Sequence, residues 1–264
     1  MLAWALYPVF GLFAGILAGL LGVGGGVVIV PGLVFIFSGA GLPAEHIMQM
    51  ALGTSLGTIM FTSVSSFRAH HARGAVNWAT VRRITPGILI GTFSGSYLAA
   101  RLSTNVLKGF FGVFLLYVAT QMLLDIKPKP SRALPGLPGM TGAGAFIGAV
   151  SSLAGIGGGT LTVPFMTWCN TPMHQAIGTA AAIGFPIALA GSAGYLVNGL
   201  AARNMPDYSL GFVYLPALAG VALVSILTAP LGAKLAHALP VQTLKRFFAV
   251  FLYLVAGKML WGLM

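Results

Sequence analysis

The chain alternates long apolar stretches with short polar ones, and the first stretch is too long for a single straight span. Residues 7–39 form 33 apolar or small residues in a row, and no charge falls between Met1 and Glu45. A helix rising about 1.5 Å per residue would run to about 50 Å over this stretch, against a hydrocarbon core of about 30 Å. The stretch must therefore tilt strongly, break or fold back. Gly22-Val-Gly-Gly-Gly26 supplies the break, because glycine costs about 1 kcal/mol per residue relative to Ala inside a helix. Pro31 restricts the backbone after it. Further spans are expected at about 46–66, 84–101 and 105–125. The loop between the first two of these holds Arg68, His70, His71, Arg73, Arg82 and Arg83. Residues 126–139 carry six Pro and Gly and read as a linker. A second long stretch at about 140–169 and spans at about 175–199, 209–236 and 242–262 complete the chain.

The two parts are repeats. Gly11, Gly15, Gly22, Gly24, Gly25, Gly26 and Pro31 recur as Gly144, Gly148, Gly155, Gly157, Gly158, Gly159 and Pro164 at a constant offset of 133. Met50-Ala-Leu-Gly-Thr54 pairs with Gln175-Ala-Ile-Gly-Thr179, Pro86 with Pro216, and Leu107–Leu115 with Leu244–Leu252. The expected organisation is a first transmembrane repeat (1–125), the linker (126–139) and a second transmembrane repeat (140–264).

Composition agrees: 57% of the residues are hydrophobic and 6% charged, where a soluble domain carries about 25% charged residues. Mean hydropathy is +0.93. The expected fold is an all-α polytopic membrane protein built from two homologous halves. Each half has a Gly-broken first helix, re-entrant or discontinuous, followed by three transmembrane helices. The first apolar segment lacks a basic leader and is longer than a signal sequence, so it reads as retained. The net charge of +11 reads chiefly as loop charge that sets topology and meets anionic lipid, and such a field also attracts anions. The basic residues are scattered over loops, so no nucleic-acid partner is expected.

Charge also bears on the direction of the repeats. If each half crosses four times, the halves are parallel and the basic residues divide nine to five between the two sides. If the glycine segment is a non-crossing hairpin, each half crosses three times and the halves are inverted. The division is then ten to four, which obeys the positive-inside rule better. The inverted hairpin arrangement is favoured, with both termini outside.

The glycine breaks are the candidate site. Helices that start after them present unpaired N–H groups and a positive dipole end near the midplane, which suit an anion. Close helix packing through small residues is the alternative reading. A break repeated in matching halves is the pointer expected of a transporter. The candidate substrate-binding residues are Gly24, Gly25, Gly26, Gly157, Gly158, Gly159 and Thr160 at the breaks. Gln49, Thr54, Ser55, Gln175 and Thr179 join them from the spans that follow. Pro31 and Pro164 are candidate hinges. The hydroxyls could donate to an anion or bond their own helix. Thr160 and Thr162 are replaced by Val27 and Ile29 in the first half, so any site is only pseudo-symmetric. His70 and His71 read as topology signals rather than a relay. No His/Cys/carboxylate cluster has metal-ligand spacing, and the single Cys169 excludes an internal disulfide. No metal, cofactor or catalytic residue is expected. The three acids, Glu45, Asp125 and Asp207, all fall near span ends, which argues against hydrolysis and against a cation transporter.

The doubled Gly-x-Gly-Gly-Gly with Pro five residues later, in two halves of a 264-residue hydrophobic chain, resembles the TauE/SafE family of sulfite and sulfonate exporters, also called the 4-toluene sulfonate uptake permease family. The resemblance covers nearly the whole chain. It implies a multi-pass transporter of the bacterial inner membrane. Its substrate would be a small sulfur-containing anion such as sulfite, sulfoacetate or thiosulfate, exported by alternating access, with proton coupling left open. An anion channel or membrane-embedded sensor with a static pore is the competing expectation.

Overall fold

The computed structural model describes residues 2–21, 25–124, 131–238 and 241–263. The first half contributes α1 (Leu2–Leu21), α2 (Gly26–Gly39), α3 (Ile47–Ala72), α4 (Trp78–Arg101) and α5 (Thr104–Leu123). The second repeats the series as α6 (Leu137–Ala154), α7 (Gly159–Trp168), α8 (Met173–Gly199), α9 (Leu215–Ala238) and α10 (Val241–Trp261). Four helices, α3, α5, α6 and α8, are long and apolar enough to cross a membrane. The chain is a polytopic, predominantly α-helical membrane protein.

Three sequence expectations need correction. Residues 209–214, expected inside a span, form a two-stranded ribbon ahead of α9, in which β1 (Ser209–Leu210) pairs antiparallel with β2 (Val213–Tyr214). Gly211, at φ +56°, makes the tight turn, a backbone region open to glycine at no steric cost. The expected basic loop is mostly helix. Arg68, His70 and His71 lie on the last turns of α3 and Arg82 and Arg83 on the first turns of α4, leaving 73–77 as the connection. A helix of 26 residues is about 39 Å long and outruns the hydrocarbon core, so its polar end emerges into water still helical. Finally, α6 starts at Leu137, three residues inside the expected linker, with Pro138 in the first turn where its missing N–H costs nothing. Positions 126–130 of that linker lie outside the described residues.

The helices pair across the halves. The first helix of each half packs most extensively against the fourth helix of the other, α1 on α9 and α6 on α4. The repeated glycines make this possible. A Cβ at Gly11 would lie 3.0 Å from the Val221 backbone, and one at Gly15 would lie 2.7 Å from Ser225 Cα. In the matching pair, a Cβ at Gly144 would lie 2.5 Å from Ile84 O and one at Gly148 2.6 Å from Ile88 O. Ser225 Oγ donates to Gly11 O at 3.0 Å across the first of these seams. Without a hydrophobic drive between helices in lipid, such close backbone contact is what holds them together.

The same contacts give the directions of the helices. Along α1, residues 7, 11 and 15 meet residues 220, 221 and 225 of α9, so these helices run parallel. Residues 84 and 88 of α4 meet 144 and 148 of α6, again in parallel. Counterparts run oppositely. Gly53 meets Tyr195 while Gly184 meets Ser63, so α3 is antiparallel to α8. Gly112 meets Leu260, and Thr120 Oγ1 shares a hydrogen bond of 2.7 Å with Tyr253 Oη, so α5 is antiparallel to α10. In the first half, Gly25 meets Ala18 and Gly32 meets Phe10, so α2 folds back along α1.

Candidate functional site

The two glycine segments, far apart in sequence, touch in the interior. A Cβ on Gly26, the first residue of α2, would lie 2.5 Å from Gly155 O and 2.7 Å from Ile156 Cα. Only a residue without a side chain lets the backbones approach this closely. On the other side of Gly155, a Cβ would lie 2.7 Å from Leu52 Cδ2 of α3 and 2.8 Å from Val30 Cγ2 of α2. Ser55 Oγ of α3 donates to Gly155 O at 2.8 Å in a buried bond.

Each segment ends or begins a helix with a left-handed residue, but not the same one. Gly25, at φ +72°, caps the start of α2, and its carbonyl accepts from the N–H groups of Val28 and Ile29 at 2.9 Å each. Gly155, at φ +60°, caps the end of α6, where its N–H donates to Ser152 O and the Ile156 N–H to Ser151 O. Gly158, the counterpart of Gly25, sits at φ −59°. Gly24 lies outside the described residues.

The second break is the polar one. Thr160 and Thr162, in the first turn of α7, are buried, as is Ser151 near the end of α6. All three hydroxyls lack a hydrogen-bond partner among the described residues. The Thr162 hydroxyl lies 3.0 Å from where a Cβ on Gly158 would stand. The N–H groups of Gly157 to Leu161 likewise donate to no acceptor among the described residues. An unsatisfied buried polar group costs about 1–3 kcal/mol, and several are gathered at this one helix start. Gly157 and Gly158 are buried and Gly159 half-buried. Thr92 Oγ1 of α4 is a further buried hydroxyl without a partner. Ser151 and Thr92 were missed in the sequence. Ser151 lies four residues before Gly155 and replaces Ala18 of the first half, the one signal that could have found it.

Three of the remaining candidates, Gln49, Thr54 and Thr179, are bonded elsewhere. Thr54 Oγ1 accepts from the Tyr214 N–H at 3.0 Å, just ahead of α9. Thr179 Oγ1 accepts from the Asn77 N–H at 2.9 Å, just ahead of α4. These are matching bonds, each tying one half's third helix to the residue that precedes the other half's fourth helix. Gln49 Nε2 donates to Leu102 O at 2.8 Å and its Oε1 accepts from Thr104 Oγ1 at 3.2 Å, which fastens α3 to the α4–α5 turn. Gln175 stands half-buried in the first turn of α8. Pro31 and Pro164 both lie within their helices, α2 and α7, rather than at a break. There each removes one N–H donor to the carbonyl four residues earlier, at Val27 and Thr160.

Comparison with known proteins agrees with this architecture. The family profile described as sulfite exporter TauE/SafE matches residues 7–259. A probable membrane transporter protein of Haemophilus influenzae is 41% identical over 251 residues, covering 94% of this chain and 95% of that protein. One of Methanocaldococcus jannaschii is 30% identical, covering 89% and 87% respectively. The probable membrane transporter protein YunE of Bacillus subtilis is 30% identical, covering 75% and 80%. No solved structure matches the chain significantly. With the profile spanning residues 7–259 and the Haemophilus influenzae relative covering 94% of the chain at 41% identity, the chain belongs to the TauE/SafE sulfite exporter family of membrane transporters.

Proposed function

We propose that this protein is a secondary transporter that exports a small sulfur-containing anion, such as sulfite, sulfoacetate or thiosulfate. The anion is held where the two glycine breaks meet. The observation that carries this reading is the set of unpartnered donors at the start of α7, Thr160, Thr162 and the N–H groups of Gly157 to Leu161, beside the Gly26–Gly155 contact. Sulfur oxyanions offer several acceptor oxygens and no donors when ionised, which complements hydroxyls and free N–H groups. A helix N-terminus adds a favourable dipole.

The halves are inverted repeats in this reading. Its support is the antiparallel packing of α3 against α8 and of α5 against α10, since a two-fold axis in the membrane plane reverses counterparts. The return of α2 along α1 supports a first helix broken into a hairpin. Alternating access then amounts to one half rocking against the other around the breaks. The ten-to-four charge division supports a linker side in the cytoplasm and both termini in the periplasm of a bacterial inner membrane. An anion leaving an inside-negative cell moves downhill by about 2.3 kcal/mol per charge per 100 mV, so the membrane potential is able to drive export, with or without proton coupling.

Proteoliposome flux tests the reading. Sulfite or thiosulfate uptake is expected to saturate and to be stimulated by the same anion on the far side. Thr160→Val and Thr162→Val are expected to lower it by about ten-fold each, the worth of one hydrogen bond to a charged group. Linear flux without counter-stimulation would replace the transporter with a channel. Unchanged saturable flux in both variants would move the site away from α7.

A further inference from the structure

Two grooves open on the outside of the helix bundle, and they occupy equivalent places in the two repeats. The first, about 530 Å³, is lined by Phe10 of α1, Val28 and Pro31 of α2, and Phe251 and Val255 of α10. The second, about 690 Å³, is lined by Ala143 of α6, Leu161 and Pro164 of α7, and Tyr117 of α5. Ala143, Leu161 and Pro164 stand 133 positions after Phe10, Val28 and Pro31, the offset that relates the glycine breaks. Each groove is thus a slot between a short half-helix, the helix before it and the last helix of the opposite repeat.

The correspondence extends to the mouths. Phe35 near the end of α2 and Trp168 at the end of α7 are also 133 residues apart. Each carries a cation over its ring. Lys258 Nζ stands 4.6 Å from the Phe35 ring centre, and the Arg132 guanidinium 5.0 Å from that of Trp168. Lys108 lines the first groove as well. None of these cations meets a carboxylate among the described residues, where the one ion pair is His46 with Glu45. An apolar slot with cations at one end that meet no carboxylate among the described residues matches an amphiphile with an anionic head. In a membrane that description fits anionic phospholipid, whose headgroups settle in basic pockets between transmembrane helices.

We propose that each groove holds an acyl chain of an anionic phospholipid. The phosphate rests against Lys108 and Lys258 in one leaflet and against Arg132 in the other. The chain lies along α2 or α7, the half-helices that begin at the glycine breaks. The bound lipid therefore braces the elements that carry the candidate site, and the two sites are related by the same symmetry as the breaks.

Native mass spectrometry of protein taken from bilayers of equal phosphatidylglycerol and phosphatidylcholine provides the test. The wild-type protein is expected to retain up to two phosphatidylglycerol molecules in preference to phosphatidylcholine. Lys108→Gln and Lys258→Gln are expected to weaken one of the two by about five-fold per charge, from roughly 1 kcal/mol per cation near the surface. Arg132→Gln is expected to weaken the other, Lys258→Arg to keep both, and Arg203→Gln, outside both grooves, to change neither. Thermal unfolding of each variant checks that the fold is intact. Equal retention of the two lipids by the wild-type protein would overturn the proposal. So would a Lys108→Gln/Lys258→Gln protein that is folded and retains phosphatidylglycerol as before.

Discussion

The two glycine segments share a sequence pattern, yet they are built differently. The first continues into Val27 and Ile29, and its left-handed residue is Gly25, which starts α2. The second continues into Thr160 and Thr162, and its left-handed residue is Gly155, which ends α6. The apolar segment packs: Gly26 presses its backbone against Gly155 and Ile156. The polar segment leaves hydroxyls and N–H groups without partners. Of the two copies of the glycine pattern, one packs as a wedge and the other gathers donors that have no partner among the described residues. Symmetry at the level of helices therefore does not carry down to chemistry.

The comparison can be broken most forcefully at the contact between the segments. Gly26→Val would drive a side chain into the Gly155 and Ile156 backbone, which cannot yield as a flexible side chain would. Loss of the folded protein from detergent extracts, or a fall of several kcal/mol in stability, is expected. A Gly26→Val protein with unchanged unfolding temperature would show that the breaks do not touch.

Next in size are the matched bonds that tie the third helix of each half to the segment before a fourth helix. Thr54→Val leaves the buried Tyr214 N–H without its acceptor, at a cost of about 1–3 kcal/mol. Thr179→Val does the same to Asn77, which is less buried, so the smaller loss is expected there. Thermal unfolding of both variants measures the difference, and a larger loss in Thr179→Val would reverse the assignment.

A smaller effect sharpens the contrast in backbone conformation. Gly25→Ala places a Cβ on a left-handed residue and should cost about 1–2 kcal/mol. Gly158→Ala, at φ −59° and meeting only the movable Ile187 and Thr162 side chains and Ile183, should cost less. Equal unfolding temperatures would remove the asymmetry. The smallest expected change is Ser55→Ala, which gives up one hydrogen bond to Gly155 O, about 1 kcal/mol of stability.

Much of this was legible in the sequence, for reasons of period and cost. Apolar runs longer than a bilayer, and glycines that a lone helix would not tolerate, specify a polytopic helical membrane protein. The ten described helices agree with that coarser reading. The roles of Gln49, Thr54 and Thr179 were not legible. A hydroxyl or amide near a break has the same one-dimensional signature whether it faces a guest or a neighbouring backbone. The partners here, Leu102, Tyr214 and Asn77, are brought to them by packing of distant elements. The ribbon at 209–214 was hidden for a related reason, since its strands are two residues each and carry no period.

Local composition thus determined the solvent this chain lives in and its helical class, because both follow from the cost of exposing backbone in lipid. Only the tertiary structure decided that the two glycine segments meet, that α1 packs on α9 and α6 on α4, and that Ser151, Thr160 and Thr162 find no hydrogen-bond partner among the described residues. Those outcomes depend on which backbones can approach within van der Waals contact, a property of pairs of surfaces far apart in sequence.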